Sequence, residues 1–130
     1  MNDLEAAELD ARSLKGQKGL TRVVRALGYS IAGLLAAFRG EAAFRQLLLL
    51  NTLLIPVAIA LDISSVERAM LVCVLLLALI VELINSAIEA TVDRVSLEVH
   101  PLSKRAKDMG SAAQLIALIT IGAVWCTILA

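Results

Sequence analysis

The sequence predicts an all-α integral membrane protein: an N-terminal amphipathic surface helix followed by three transmembrane helices. Three observations predict it. Of the 130 residues, 59% are hydrophobic, and a mean hydropathy of +0.84 belongs with membrane proteins rather than soluble domains. Three apolar runs, at about 44–63, 67–92 and 109–130, each come close to the ~20 residues a helix needs to cross a bilayer. Basic residues, finally, cluster beside some of these runs and avoid others.

The elements follow in order. Residues 1–14 carry Asp3, Glu5, Glu8 and Asp10 against Arg12, with no apolar run behind a basic start. No signal peptide is expected there, and 1–18 reads as a polar, disordered tail. Residues 19–130 are expected to form one domain. From Gly19 to about Phe44, Leu20, Val23, Val24, Leu27, Ile31, Leu34, Leu35 and Phe38 recur at steps of three and four. That is the stripe of an amphipathic helix, and Arg22, Arg25, Tyr29 and Ser30 stand away from its centre. The first span contains Asn51 and Pro56; the proline frees the carbonyl of Thr52, so a kink is expected near it. A tight Asp62-Ile63-Ser64-Ser65 turn follows, where Ser64 or Ser65 can cap the second span. Between spans two and three, 93–108 reads as a polar loop that the His100-Pro101 step breaks. Cys73 and Cys126 lie inside apolar runs without metal or disulfide spacing, and are expected in the buried core.

Charge orients the spans. Lys15, Lys18, Arg22, Arg25, Arg39 and Arg45 precede or open span one, and Arg94, Lys104, Arg105 and Lys107 lie between spans two and three. The turn between spans one and two holds Arg68 alone. An excess of Lys and Arg marks the cytoplasmic side, so the N-terminus is expected inside and the C-terminus in the periplasm. Basic blocks of this kind often bind nucleic acid. Here they flank membrane segments, which makes lipid head groups or a phosphate ligand the expected partners and excludes nucleic acid.

The second span carries the main anomaly. In VELINSAIEATVDR (81–94), Glu82, Asn85, Ser86, Glu89 and Asp93 fall on one stripe of a helix. A charge at the centre of a membrane helix costs about 2.5–3.5 kcal/mol on the translocon scale. At ~1.5 Å per residue, Glu82 lies about 20 Å from the outer boundary and Glu89 about 10 Å further in. The acids therefore approach the cytoplasmic interface, where a lipid head group and a water-soluble ligand meet. Glu41, Arg45, Lys104, Lys107, Asp108 and Ser111 reach the same level from two other segments. Phosphoryl transfer needs such a set: carboxylates for Mg²⁺, cations for the polyphosphate, and a base for the attacking hydroxyl.

The segments GEAAFRQ (40–46), VELINSAIEATVDR (81–94) and KRAKDMGSAA (104–113), with LTRVVRALGYS (20–30), resemble the signature segments of the prokaryotic diacylglycerol kinases. These are small membrane kinases, unrelated to soluble kinases, and the resemblance covers roughly 19–130. It implies a homotrimer with shared active sites that transfers phosphate from ATP to the primary hydroxyl of diacylglycerol, with Mg²⁺, at the cytoplasmic face of the bacterial inner membrane. It implies Glu82 as the catalytic base and Glu41 and Glu89 as the metal carboxylates. ATP-binding positions would be Arg22, Tyr29, Glu41, Glu89, Lys107 and Asp108, with Glu98, Val99 and His100 beside the adenine. Arg22, Ser30, Arg45, Glu82, Asn85 and Ser111 would bind or support substrate. The sequence departs from the family at Pro101, where members often have an acid, and in lacking a tryptophan on the surface helix; Trp125 is the only one.

Three other readings compete. Undecaprenol kinase belongs to the same superfamily, and span composition does not separate the two lipids. A proton- or ion-coupled small transporter could use Glu82, although its depth and the Lys107-Asp108 pair argue against this. A non-enzymatic assembly subunit leaves the aligned acids unexplained.

Overall fold

The computed structural model describes residues 19–130, and the expected tail at 1–18 lies outside them. Four helices follow one another: α1 (Gly19–Gly40), α2 (Ala42–Ala60), α3 (Ser65–Val95) and α4 (Pro101–Leu129). There is no strand among the described residues. By length and composition all four are apolar enough to cross a membrane. The chain divides into two compact units, one ending at Ala36 and the other formed by Ala37–Ala130.

In the first unit, α1 separates apolar from polar faces more sharply than the other helices do. Its stripe residues are exposed: Leu20, Val23, Val24 and Leu27 all lie open. The Ser30 hydroxyl donates to the Ala26 carbonyl of its own helix at 3.0 Å.

The second unit is an antiparallel packing of α2 and α4 against α3. Its core is Leu47, Val74, Leu75, Ala78, Ala117 and Ile121. Between membrane helices the lipid is as apolar as leucine, so close packing and interhelical hydrogen bonds must supply cohesion. Small residues at the α3–α4 seam, Ala78, Gly110 and Ala117, are all buried and let the backbones approach. Trp125 Nε1 donates to the Leu71 carbonyl at 3.3 Å across this seam. Asn51, 2% exposed, donates through Nδ2 to the carbonyls of Leu47 and, across to α3, of Leu75.

Local chemistry fixes the turns. Ser64 caps α3 in a reciprocal box: the Glu67 backbone N–H donates to Ser64 Oγ at 3.2 Å, and the Ser64 N–H donates to Glu67 Oε2 at 2.9 Å. Arg68, the lone cation of that turn, donates to the carbonyls of Ala58, Leu61 and Ile63. It thereby satisfies the free C-terminal end of α2 and complements its dipole.

Several boundaries differ from the sequence expectation. The first helix does not continue to Phe44; it stops at Gly40, and Glu41 alone separates it from α2. The expected loop at 93–108 shrinks to 96–100, because α3 runs to Val95 and α4 starts at Pro101. Proline there begins a helix rather than breaking one, since its missing N–H falls where a helix has no acceptor to offer. His100 caps α4, its Nδ1 accepting from the Leu102 N–H at 3.1 Å. With 31 residues, α3 is about 46 Å long and exceeds the ~30 Å hydrocarbon core. Pro56 lies within α2, which continues through it to Ala60. Cys73 and Cys126 are exposed rather than buried. In a membrane chain an apolar run places residues on outward faces as readily as inward ones, so apolarity alone does not identify the core.

Candidate active site

Two elements set the acids at their heights. Glu41 occupies the break between α1 and α2 with an extended backbone, φ −111° and ψ 112°. A residue in this place commonly caps the following helix with its side chain, but the Glu41 carboxylate makes no such bond. One turn later, Arg45 Nη1 donates to the Phe38 carbonyl at 2.9 Å and the Arg39 carbonyl at 3.3 Å. Those are orphan acceptors at the end of α1, so Arg45 secures the break that presents Glu41.

On α3, Glu82 is only 3% exposed. Asn85 follows one turn on, and its Nδ2 donates to Glu89 Oε1 at 3.3 Å. Gly110 of α4 faces Asn85 so closely that a Cβ would collide with Asn85 Oδ1. With glycine the seam closes over that amide in this conformation; a side chain here would push Asn85 aside or part the helices.

These residues share one cavity of about 400 Å³. Glu41 lines it from the break before α2, Glu82, Asn85 and Glu89 from α3, and Ser111, Gln114, Leu115 and Leu118 from α4. Two of its polar atoms, Asn85 Oδ1 and Gln114 Oε1, are buried with no hydrogen-bond partner among the described residues. An unpaired buried polar group costs about 1–3 kcal/mol, so atoms left in this condition beside a cavity call for a ligand.

A second cavity, of about 200 Å³, surrounds the α3–α4 linker and is lined in part by Asp93, Glu98, Val99, His100, Lys104 and Lys107. Lys107 Nζ lies 2.6 Å from Asp93 Oδ1. That hydrogen bond, with the charges of Asp93 and Glu89, holds the Lys107 ammonium above its ordinary range.

The structure therefore gathers Glu41, Glu82, Asn85, Glu89 and Ser111 in one place, and Glu98, Val99, His100 and Lys107 in another. Asp108 is exposed and pairs with Lys104 on the solvent side of α4. Arg45 is committed to the end of α1. Arg22, Tyr29 and Ser30 belong to the first unit. Gln114 was not singled out in the sequence; its signal is a lone amide in an apolar run, in phase with Lys107 and Ser111 at steps of four and three.

A sequence model of the family described as prokaryotic diacylglycerol kinase matches residues 28–129. The chain belongs to that family. The diacylglycerol kinase of Pseudomonas aeruginosa is 72% identical over 115 residues, covering 88% of this chain and 94% of the relative. That of Escherichia coli strain K12 is 50% identical over 111 residues, covering 85% of this chain and 91% of the relative. That of Haemophilus influenzae is 44% identical over 111 residues, covering 85% and 94%. Membership makes the chain a membrane-embedded kinase of lipid metabolism, with a lipid substrate and a nucleotide co-substrate. The all-helical membrane fold and the family expected from GEAAFRQ, VELINSAIEATVDR and KRAKDMGSAA both hold.

Proposed function

We propose that this chain transfers the γ-phosphoryl group of ATP to the primary hydroxyl of diacylglycerol, giving phosphatidic acid, by direct in-line displacement at the cytoplasmic face of the inner membrane. The observation that carries the reading is the cavity in which a buried Glu82 stands beside Glu41, Asn85 and Glu89. Buried acids in a membrane helix are costly, and chemistry is the best reason to keep them.

The donor set suits a divalent cation. Glu41 and Glu89 offer hard carboxylate oxygens, and Asn85 Oδ1 is a buried oxygen without a partner. Among the described residues no three acidic, histidine or cysteine side chains form a metal cage. Mg²⁺ does not need one: it usually takes one or two carboxylates and completes its shell with water and substrate phosphates. Glu41 and Glu89 would hold it, and when bound it neutralises charge developing on the transferred group.

The chain's own residues supply the rest. Glu82 accepts the proton of the lipid hydroxyl as its oxygen bonds to the γ-phosphorus, while the bond to the bridging oxygen breaks and ADP leaves with that electron pair. Burial keeps competing water from the base. Asn85, hydrogen-bonded to Glu89, fixes that carboxylate relative to Glu82. Lys107 and the Glu98–His100 linker offer a cation and an edge for the nucleotide around the second cavity, and Asp108 is a further nucleotide position in this reading. Arg22 and Tyr29 are further nucleotide positions and Ser30 and Ser111 substrate positions, in a homotrimer whose active centres draw on neighbouring subunits. The N-terminus is cytoplasmic and the C-terminus periplasmic.

The test is label transfer from γ-labelled ATP by purified protein in lipid–detergent micelles, with diacylglycerol and undecaprenol in parallel. Label should pass to diacylglycerol and require Mg²⁺. Preference for undecaprenol would overturn the substrate, and no transfer to either lipid would overturn the activity. E82Q keeps the shape and removes the base, so kcat should fall about 10²–10⁴-fold; retention of a tenth of kcat would exclude Glu82 as base.

A further inference from the structure

We propose that Gln114 is a positioning residue for the lipid, donating from its amide to an ester carbonyl of the diacylglycerol and so setting the preference for an acylated glycerol over a simple long-chain alcohol. The inference rests on the reading of the cavity as a diacylglycerol kinase site.

Height comes first. Along the antiparallel α3 and α4, Trp125 meets Leu71, Gly110 meets Asn85, and Lys107 meets Asp93. Both helices advance at the same ~1.5 Å per residue, so this register brings Gln114 level with Glu82. Gln114 and Glu82 line the same cavity. A hydroxyl presented to Glu82 therefore leaves the adjacent glycerol carbons, with their esters, beside Gln114.

Hydrogen-bond polarity comes second. The wall opposite α4 offers mainly acceptors: the carboxylates of Glu41, Glu82 and Glu89, and Asn85 Oδ1, with one of the two N–H donors of Asn85 spent on Glu89. Ester carbonyls are acceptors only, so that wall suits them poorly. The donors that stand clear of the carboxylates come from α4, as the Ser111 hydroxyl and the Gln114 amide. Ser111 lies one turn nearer the cytoplasmic end, toward the phosphate. Gln114 lies one turn deeper, next to Leu115 and Leu118, where acyl chains enter the bilayer.

The third point is that Gln114 lacks a partner of its own. Its Oε1 is buried and unbonded, and a half-turn of the amide exchanges that oxygen for the NH₂. Among the described residues nothing holds the amide in either orientation. A polar side chain kept unpaired in a membrane helix is expensive for packing alone, whereas an ester carbonyl arriving with the substrate pairs it.

The test crosses a substitution with a change of substrate. Wild type, Q114L and Q114M are compared on a short-chain diacylglycerol and on its dialkyl ether analogue, which lacks both carbonyls. Q114L should raise KM for the diacyl lipid about tenfold, the equivalent of one hydrogen bond, and leave kcat and the KM for ATP within twofold. On the ether the same substitution should change KM less than twofold, and wild type itself should bind the ether about tenfold more weakly than the ester. A structural role would instead move both lipids, and ATP, together. Q114M has the same reach without the donor and repeats the measurement if Q114L does not fold. Equal losses on ester and ether, or an unchanged KM for the ester, would overturn the assignment while leaving the kinase reading intact. Wild type inactive on every glycerolipid would overturn both.

Discussion

Gly110→Ala tests the α3–α4 seam with a single methyl group. The added Cβ collides with Asn85 Oδ1, and two responses are open. If Asn85 swings aside, its hydrogen bond to Glu89 on the same helix is lost, worth about 0.5–1.5 kcal/mol. If the helices part instead, overpacking costs about 1–3 kcal/mol. Against either stands the better helix propensity of alanine, about 0.8–1 kcal/mol. The net loss of stability is therefore about 0–2 kcal/mol, while turnover should fall about 10–100-fold, because both responses displace Asn85 and Glu89 by about 1 Å. Gly122→Ala is the control: it lies in the same helix, and a Cβ there meets nothing within 4 Å. Turnover with labelled ATP and thermal unfolding in micelles read the two effects separately. In an Asn85→Ala background the collision partner is gone, so the stability cost of G110A should vanish. Indistinguishable turnover in G110A and G122A would refute the argument that glycine is kept for the Asn85 contact.

Other substitutions separate site from scaffold. Glu89→Gln should raise the Mg²⁺ concentration for half-maximal activity several-fold, since one hard oxygen donor becomes neutral; an unchanged Mg²⁺ titration would remove Glu89 from the metal. Arg68→Met removes donors to Ala58, Leu61 and Ile63 and should destabilise by about 1–3 kcal/mol, lowering the thermal midpoint without changing KM for either substrate. Asn51→Val gives up the tie to Leu75 but also relieves the unpaired Asn51 Oδ1. Its stability should stay within about 1 kcal/mol of wild type, with activity retained.

The helices were legible because lipid imposes a length and an apolar surface, and sequence records both directly. Glu82, Asn85 and Glu89 were legible as a stripe, since helical periodicity alone places them on one face. Boundaries were less so. The step at Glu41 depends on Arg45 reaching back to Phe38 and Arg39, a tertiary bond that periodicity does not encode. The early start of α4 turned on Pro101, a residue that breaks a helix interior but begins a helix end. Gln114 escaped notice for a further reason. A lone glutamine in an apolar run has no pattern until α3 is packed beside it and its height matches that of Glu82. The outward cysteines show the converse, because nothing in an apolar run distinguishes a lipid-facing side chain from a packed one.

Three amides, Asn51, Asn85 and Gln114, each leave one buried oxygen unpaired, yet they differ in what surrounds them. Asn51 sits in the packed core and spends its NH₂ on carbonyls of α2 and α3. Helix carbonyls already accept from their own ladder, so this bond is a modest tie and the lone oxygen a tolerated cost. Asn85 and Gln114 instead border the cavity that holds three carboxylates. There the unpaired oxygens stand on opposite walls, one fixed by Glu89 and pressed against Gly110, the other without any bond. A site that must admit a lipid from one side and a nucleotide from the other cannot satisfy all its polar groups in advance. On the proposed reading, the two groups left open mark what the site receives: Asn85 Oδ1 the reacting centre between Glu82 and Glu89, Gln114 the ester carbonyl behind it.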